Sequence, residues 1–189
     1  IQHFPVRTPI FEELGIEKQI NEAFQRQVLL PCGGYLVIDE TEALIAIDVN
    51  TGRNKGTKDL DKTILDTNLE AAYEIARQLR LRNIGGLVVV DFIDMRHRKD
   101  QQAVYKAMKD RLKRDKAKTQ VLQITPIGLM EMTRQRLNES LRESVHDPCP
   151  YCGGRGRVKS VMTMSVEIQR QIYACIQKYR DTIGDMVIV

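Results

Sequence analysis

Hydrophobic positions in the first half of the chain follow helical and strand spacing in turn. In residues 11–26 the apolar residues recur near the helical period, which predicts an amphipathic helix. Short apolar runs between residues 28 and 50 are broken at 31–34 and again at 39–41, a pattern typical of antiparallel strands in a meander. The helical period returns over residues 61–82, which predicts a second, longer helix.

The second half of the chain continues this alternation. The run "LVVVDFI" at 87–93 is continuously apolar and predicts a central strand buried on both faces. We expect a basic helix over about 99–116, a strand at 119–125, a helix over about 129–141 and a last helix at 161–180. The predicted fold is therefore α/β. Its mixed sheet combines the antiparallel meander with parallel βαβ crossovers, and a cysteine loop and a C-terminal helical element follow.

Composition narrows the class of protein. The 189 residues are 42% hydrophobic and 29% charged, which argues against disorder, and no apolar run approaches the roughly 18 to 20 residues of a membrane span. The chain starts without Met or a signal peptide, so we expect it to be cut from a longer protein. Its four cysteines do not resemble a secreted disulfide framework, which favours a reducing cytoplasm.

Basic residues concentrate in one segment of the chain. The net charge is only +4, but residues 96–118 hold ten Lys or Arg against three Asp. Such a segment can attract phosphate groups. A solvated helix face with no ligand is the alternative interpretation.

Acidic side chains follow two of the predicted strands. "ALIAIDVNTGR" places Asp48 and Asn50 at the end of a buried run, and "LVVVDFIDM" places Asp91 and then Asp94. Ligand sites gather at the carboxyl ends of strands in α/β sheets, so Asp48 and Asp91 can face one spot if the strands are neighbours. Paired carboxylates with an amide beside them suit Mg²⁺, which predicts metal-assisted phosphodiester hydrolysis. The alternative is that both carboxylates merely terminate strands.

A cysteine pair in "HDPCPYCGGRGR" has the spacing of a zinc half-site. Cys149 and Cys152 supply two thiolates, whereas a structural zinc usually takes four ligands. The residues leave three ways to complete the site: His146, the pair Cys32 and Cys175, or the same cysteines from a second chain across a two-fold axis. A redox or accidental C-x-x-C is the further alternative.

Several stretches together resemble the ribonuclease E/G family of endoribonucleases. They are "GGYLVIDETEALIAIDVNTGR", "TNLEAAYEIARQLRLRNIGGLVVVDFIDM", "GLMEMTRQRLNESL" and "CPYCGGRGRV". The resemblance implies that Asp48 and Asp91 bind the catalytic Mg²⁺ with help from Asn50. It also implies that Cys149 and Cys152 form a zinc link between protomers, which favours the two-fold answer. The expected assembly is then a zinc-linked homodimer, or a tetramer in the full-length protein.

The same resemblance implies a division into subdomains. Residues 1–25 would be the tail of a preceding subdomain, and 26–145 a deoxyribonuclease I-like catalytic subdomain. Residues 146–157 would be the zinc link, and 158–189 the start of a small dimerisation domain. The family's S1 domain and its pocket for a 5′-monophosphate would lie before Ile1.

The expected function is therefore that of a Mg²⁺-dependent endoribonuclease that cleaves single-stranded RNA in RNA processing and decay. Its products would carry 5′-phosphate and 3′-hydroxyl ends. Four basic residues are predicted RNA contacts: Arg53, Lys55, Arg134 and Arg136. One rival is a non-catalytic RNA-binding and zinc-linked dimerisation module, and another is a hydrolase acting on DNA.

Overall fold

The computed structural model describes residues 9–52, 60–147 and 149–179. The chain divides into two compact units, Ile1–Val145 and His146–Val189. The first unit holds a mixed sheet with helices, and the second holds the cysteine loop and one long helix. This arrangement confirms the predicted α/β class.

A six-stranded mixed sheet organises the described part of the first unit. Its strands are β1 Gln27–Leu29, β2 Tyr35–Glu40, β3 Ile45–Asn50, β4 Gly86–Asp91, β5 Thr119–Val121 and β6 Leu129–Arg134. Their order across the sheet is β1-β2-β3-β4-β6-β5. Strands β1, β2 and β3 form the predicted antiparallel meander, and β3 pairs with β4 in parallel through a helical crossover.

Helices cover one face of this sheet. The described helices of the first unit are α1 Ile10–Glu13, α2 Ile16–Phe24, α3 Leu60–Leu81, α4 Arg98–Leu112 and α5 Leu141–Val145, and the second unit has α6 Val161–Lys178. Helices α3 and α4 pack on each other and share one hydrophobic core with the inward side chains of the strands. We call the opposite side the open face, and its exposed residues include Ala46, Asp48, Leu87 and Asp91.

Strand β4 corrects the prediction of a strand buried on both faces. Val88 and Val90 are completely buried under the helices, whereas Leu87 on the other side is 42% exposed. The apolar run therefore alternates in burial, as expected for a strand with one covered face. A continuous apolar sequence did not distinguish one covered face from two.

The predicted helix over residues 129–141 is wrong, because Leu129–Arg134 forms strand β6, residues 135–140 are not helical, and helix α5 begins only at Leu141. Leu, Met, Glu and Arg favour helices by intrinsic propensity. Pairing with β4 on one side and β5 on the other overrides that preference, and it buries Met130 and Met132 against the core.

The predicted N-terminal helix is divided into two. Gly15, with a φ of 64°, separates α1 from α2. In the second unit, α6 starts after Ser160, whose hydroxyl accepts a hydrogen bond from the Thr163 amide. Among the described residues, no helix combines the length and the apolar composition needed to cross a bilayer.

Candidate functional site

Asp48 and Asp91 lie side by side on the open face. Strands β3 and β4 pair in parallel with Asp48 directly opposite Asp91. Side chains opposite each other in this register point to the same face, and neighbouring strands lie about 4.8 Å apart. Both residues are exposed, and Ile47 and Val90 beside them are buried on the helical side. The alternation of each strand therefore directs its carboxylate away from the core.

Asn50 holds the Asp48 carboxylate. Its Nδ2 donates to Oδ2 of Asp48 at 2.7 Å, and both side chains belong to the same side of β3. The backbone of Asn50 is fixed in turn by Gly34, where a Cβ atom would lie only 2.7 Å from the Asn50 carbonyl oxygen. The turn before β2 therefore packs closely on the end of β3, and a larger residue at position 34 would displace Asn50.

Asn68 of α3 was not singled out from the sequence, yet it anchors the loop that follows Asp91. Its Nδ2 donates to the Ile93 carbonyl at 2.8 Å, and the Ile93 amide donates to its Oδ1 at 3.1 Å. The side chain is completely buried, so both amide atoms are used on this one main-chain segment. The available sequence signal was an amide at helical spacing from the apolar residues Ile64 and Ala72.

Negative charge accumulates at this edge of the sheet. Burial and the neighbouring charges of Asp48 and Asp94 raise the pKa of Asp91 above its usual range. A shallow cavity of about 330 Å³ is lined by residues 48–51 and 91–94. The carboxylates have no cationic partner among the described ion pairs, so a bound cation would relieve their repulsion.

The donor set suits Mg²⁺ better than a metal held by a full protein cage. No three His, Cys, Asp or Glu side chains gather as metal ligands in the described ranges. Mg²⁺ usually takes only one or two carboxylates and keeps its other positions for water and phosphate oxygens. Asp48 and Asp91 supply that number of ligands, and the open cavity leaves room for the remainder.

Arg134 does not lie where an RNA contact requires it. Its side chain is 4% exposed, and its Nε donates to the Asp115 carboxylate at 2.7 Å. Its Nη1 donates to the Ile84 carbonyl at 2.6 Å. The guanidinium is therefore committed to a buried ion pair, and we withdraw Arg134 from the expected RNA contacts.

The other predicted RNA contacts have different outcomes. Arg53 and Lys55 lie outside the described residues. Arg136 is exposed, and its Nε donates to the Gly85 carbonyl at 3.2 Å, just before β4 begins. Since Asp91 is at the other end of β4, about 20 Å separates Arg136 from the carboxylates. Arg136 can contact RNA only at a distance from them.

The cysteine loop in the second unit forms a tight turn around two sulfur atoms. The Gly153 amide donates to the Cys149 carbonyl at 2.7 Å, and the Gly156 amide lies 3.3 Å from Sγ of Cys152. Hydrogen bonds from the amides of Cys152 and Tyr151, and from the Cys152 side chain, lower the pKa of the Cys149 thiol. Amide donors that stabilise thiolates suit half of a tetrahedral zinc site.

Comparison with known proteins gives a consistent picture. A model of the ribonuclease E/G family matches residues 1–137. Ribonuclease G of Escherichia coli K12 is 45% identical over 172 residues, which cover 91% of this chain and 35% of that protein. Ribonuclease E of the same strain is 51% identical over 164 residues, which cover 87% of this chain and 16% of the relative.

A second ribonuclease E extends the comparison to another organism. The Haemophilus influenzae protein is 52% identical over 162 residues, which cover 86% of this chain and 17% of that relative. The chain therefore spans about a third of the length of the ribonuclease G proteins it matches, and less of the ribonuclease E proteins.

Proposed function

This chain belongs to the ribonuclease E/G family, and on that basis we propose that it is the catalytic part of a Mg²⁺-dependent endoribonuclease. It cleaves single-stranded RNA in RNA processing and decay and leaves 5′-phosphate and 3′-hydroxyl ends. The observation that carries the proposal is the direct pairing of Asp48 with Asp91 at an open cavity.

The residues of the cavity have distinct parts in this reaction. Asp48 and Asp91 would hold the Mg²⁺, and their combined negative charge matches a divalent cation. Asn50 keeps the Asp48 carboxylate in one orientation through its hydrogen bond. When bound, Mg²⁺ supplies positive charge to the phosphoryl oxygens and activates water for attack on phosphorus.

The openness of the cavity supports a polymeric substrate. Residues 48–51 and 91–94 form a shallow depression on the open face rather than an enclosed pocket. An RNA backbone can cross such a surface without threading through the protein, so cleavage inside a strand needs no free end. This geometry favours an endonuclease over an enzyme that removes terminal nucleotides.

The test is to incubate the chain with labelled single-stranded RNA and with DNA of the same sequence, each in Mg²⁺ and in EDTA. We expect cleavage of RNA alone, abolished by EDTA, with a 5′-phosphate on the downstream product. A matched control is Glu42→Gln, which removes an exposed carboxylate at the opposite end of β3 and should leave cleavage unchanged.

The outcomes separate the proposal from its rivals. RNA binding without cleavage, for wild type and Glu42→Gln alike, would instead support a non-catalytic RNA-binding and dimerisation module. Equal cleavage of DNA would contradict the RNA specificity while retaining the metal site.

The cysteine turn supports a second part of the proposal. We propose that Cys149 and Cys152 from each of two chains bind one Zn²⁺ and link a homodimer. Four thiolates complete a tetrahedral site, and a two-fold axis through the metal delivers them from one short motif. The close approach of the Gly156 amide to Cys152 favours the thiolate forms that a metal requires.

Metal analysis and mass measurement test the zinc link. We expect one zinc per two chains, and a Cys149→Ser/Cys152→Ser variant that loses the metal and becomes monomeric. Cys175→Ser is the matched control, since this exposed thiol lies on α6. One zinc per monomeric chain, or none, would contradict the shared site.

A further inference from the structure

Exposed cations lie on α4, on the two residues that follow it and at the adjoining end of α3. We define this basic surface by six residues: Arg80, Lys106, Lys109, Arg111, Lys113 and Arg114. All six are exposed. Nη1 of Arg80 lies 3.5 Å from the Arg111 carbonyl oxygen, so the cations of the two helices form one continuous patch.

Nearby acids neutralise only part of the charge of this surface. Residues 96–118 hold ten Lys or Arg and three Asp. Asp115 is buried against Arg134, whereas Asp110 pairs with Lys113 at 2.7 Å and its charge also acts on Lys106 and Lys109. Within the described ranges, only Arg96 and Lys113 of these ten cations have a carboxylate within 4.0 Å. The surface therefore keeps a positive potential that attracts anions.

The surface has no apolar anchor. Helix α4 turns Val104, Met108 and Leu112 into the core, so it has no apolar side left to enter a membrane. No large hydrophobic side chain is exposed between residues 96 and 118, whereas protein interfaces are built around such anchors. Two rings lie beneath these cations: Tyr73 is 43% exposed and lies under Arg111 at 4.2 Å, and the half-buried Tyr105 lies under Lys109 at 5.7 Å. Cations with an aromatic ring suit a nucleic-acid backbone.

The basic surface and the carboxylates lie on opposite sides of the sheet. Helix α4 packs on the buried face, and Asp48 and Asp91 are on the open face. We propose that the basic surface binds the phosphate backbone of a flanking segment of the substrate RNA, outside the cleavage site. This inference rests on the proposed function. It predicts that only an RNA long enough to pass around the edge of the sheet uses both surfaces.

Binding measured without cleavage tests the proposal first. In an Asp91→Asn background with EDTA, the variant Lys106→Gln/Lys109→Gln/Lys113→Gln is compared with Lys18→Gln/Arg170→Gln/Lys178→Gln. The control removes the same charge from exposed positions on other helices. The probe is a single-stranded RNA of about 40 nucleotides, long enough to exceed the roughly 4–16 that one binding site covers.

The salt dependence of binding is the readout. Each phosphate contact contributes about 0.7 to the slope of log K against log salt for single strands, so losing three contacts should reduce the slope by about 2. We expect affinity to fall roughly 10- to 100-fold at low salt for the α4 variant and much less for the control. Equal slopes for the two variants would overturn the proposal.

A footprint on the unmutated residues provides an independent test. Saturating RNA should protect Lys106, Lys109 and Lys113 from acetylation while Lys18 stays reactive. Unchanged reactivity of these three lysines would overturn the proposal without relying on any variant. If poly-glutamate protects them as well as RNA does, the surface is a site for acidic proteins and the RNA proposal is wrong.

Cleavage assays separate this inference from the proposed function. The α4 variant with Asp91 intact should raise KM for the 40-nucleotide RNA, and leave KM unchanged for one of about 8 nucleotides, which one site can cover. An equal rise in KM for both lengths would contradict a separate surface. A chain that binds RNA with the expected salt slopes but never cleaves it would refute the nuclease proposal and support the basic surface.

Discussion

Two carboxylates, one near each end of the paired strands β4 and β6, have opposite surroundings. At the carboxyl end of β4, Asp91 stands beside Asp48 on the open face, and repulsion from Asp48 and Asp94 adds to burial in raising its pKa. At the other end, Asp115 lies buried against Arg134. Burial opposes ionisation of Asp115, but hydrogen bonds from Arg134 and the Ala117 amide outweigh it and lower its pKa.

This difference separates function from stability. A buried carboxylate with a cationic partner is kept ionised by that partner, and removing either partner lowers the stability of the fold. Two adjacent carboxylates without a cation are held together against their repulsion, which a protein tolerates where a ligand will supply the missing charge. Local sequence does not reveal the ionic partner of either residue, because Asp91 is the last residue of β4 and Asp115 lies just before β5.

The largest expected effect is on cleavage. Asp48→Asn or Asp91→Asn keeps the side-chain shape but removes charge from the proposed metal site. We expect the cleavage rate to fall at least about 100-fold, since several kcal/mol of charge stabilisation are lost. Single-turnover cleavage of labelled RNA measures this, and RNA binding should persist. Near wild-type rates for both variants would show that the paired carboxylates are structural, like Asp115.

Breaking the ion pair at the other end should affect stability instead. Asp115→Asn leaves the buried Arg134 without its counter-charge, which costs about 3–5 kcal/mol. Urea unfolding measures the loss, and cleavage per folded molecule should stay near wild type. Replacing both partners, as in Asp115→Leu/Arg134→Met, should cost less than either single change. Stable folding of Arg134→Met with weakened RNA binding would restore Arg134 as an RNA contact.

The pH dependence of this stability has a defined sign. Because the folded pKa of Asp115 is lowered, its contribution is present above the ordinary value of 3.8 and is lost as the pH falls through the folded pKa. Urea midpoints of wild type should therefore approach those of Asp115→Asn as the medium becomes strongly acidic. A constant difference at all pH values would contradict the ion-pair explanation.

An intermediate effect is expected at Asn68, which joins the fold to the site. Asn68→Ala leaves the main chain of Ile93 without two hydrogen bonds and frees the loop after Asp91. We expect cleavage to fall about 10- to 100-fold, as small displacements in active sites do, and to recover partly at high Mg²⁺. Gln78→Ala removes another buried amide of α3 and serves as control. If Asn68→Ala and Gln78→Ala raise the Mg²⁺ requirement equally, Asn68 stabilises the fold and has no specific effect on the site.

The smallest effect concerns thermal stability without metal. The raised pKa of Asp91 means that the folded chain loses stability as the pH rises through the interval between 3.8 and the folded pKa. Asp91→Asn should therefore unfold at a slightly higher temperature than wild type in EDTA near neutral pH, and the difference should shrink in acid. Circular dichroism measures both. A lower Tm for the variant at neutral pH would contradict electrostatic repulsion at the site.

Much of this arrangement could be predicted from the sequence, and the exceptions have physical reasons. Hydrophobic spacing located α3, α4 and the meander because burial of one side leaves a local signature. Strand β6 was predicted as a helix, since pairing between β4 and β5 is a contact across the fold. The role of Arg134 was misassigned for the same reason: its partner, Asp115, is identified by proximity and not by spacing.

The parallel pairing of β3 and β4 also determines when the site can exist during synthesis. Asp48 and Asp91 are separated by roughly 40 residues and meet only after the α3 crossover has closed, and such distant contacts form slowly in folding. A nascent chain emerging from the ribosome would carry Asp48 long before the partner strand is available. The two carboxylates therefore cannot come together near the messenger RNA that is being translated until most of the sheet has been synthesised.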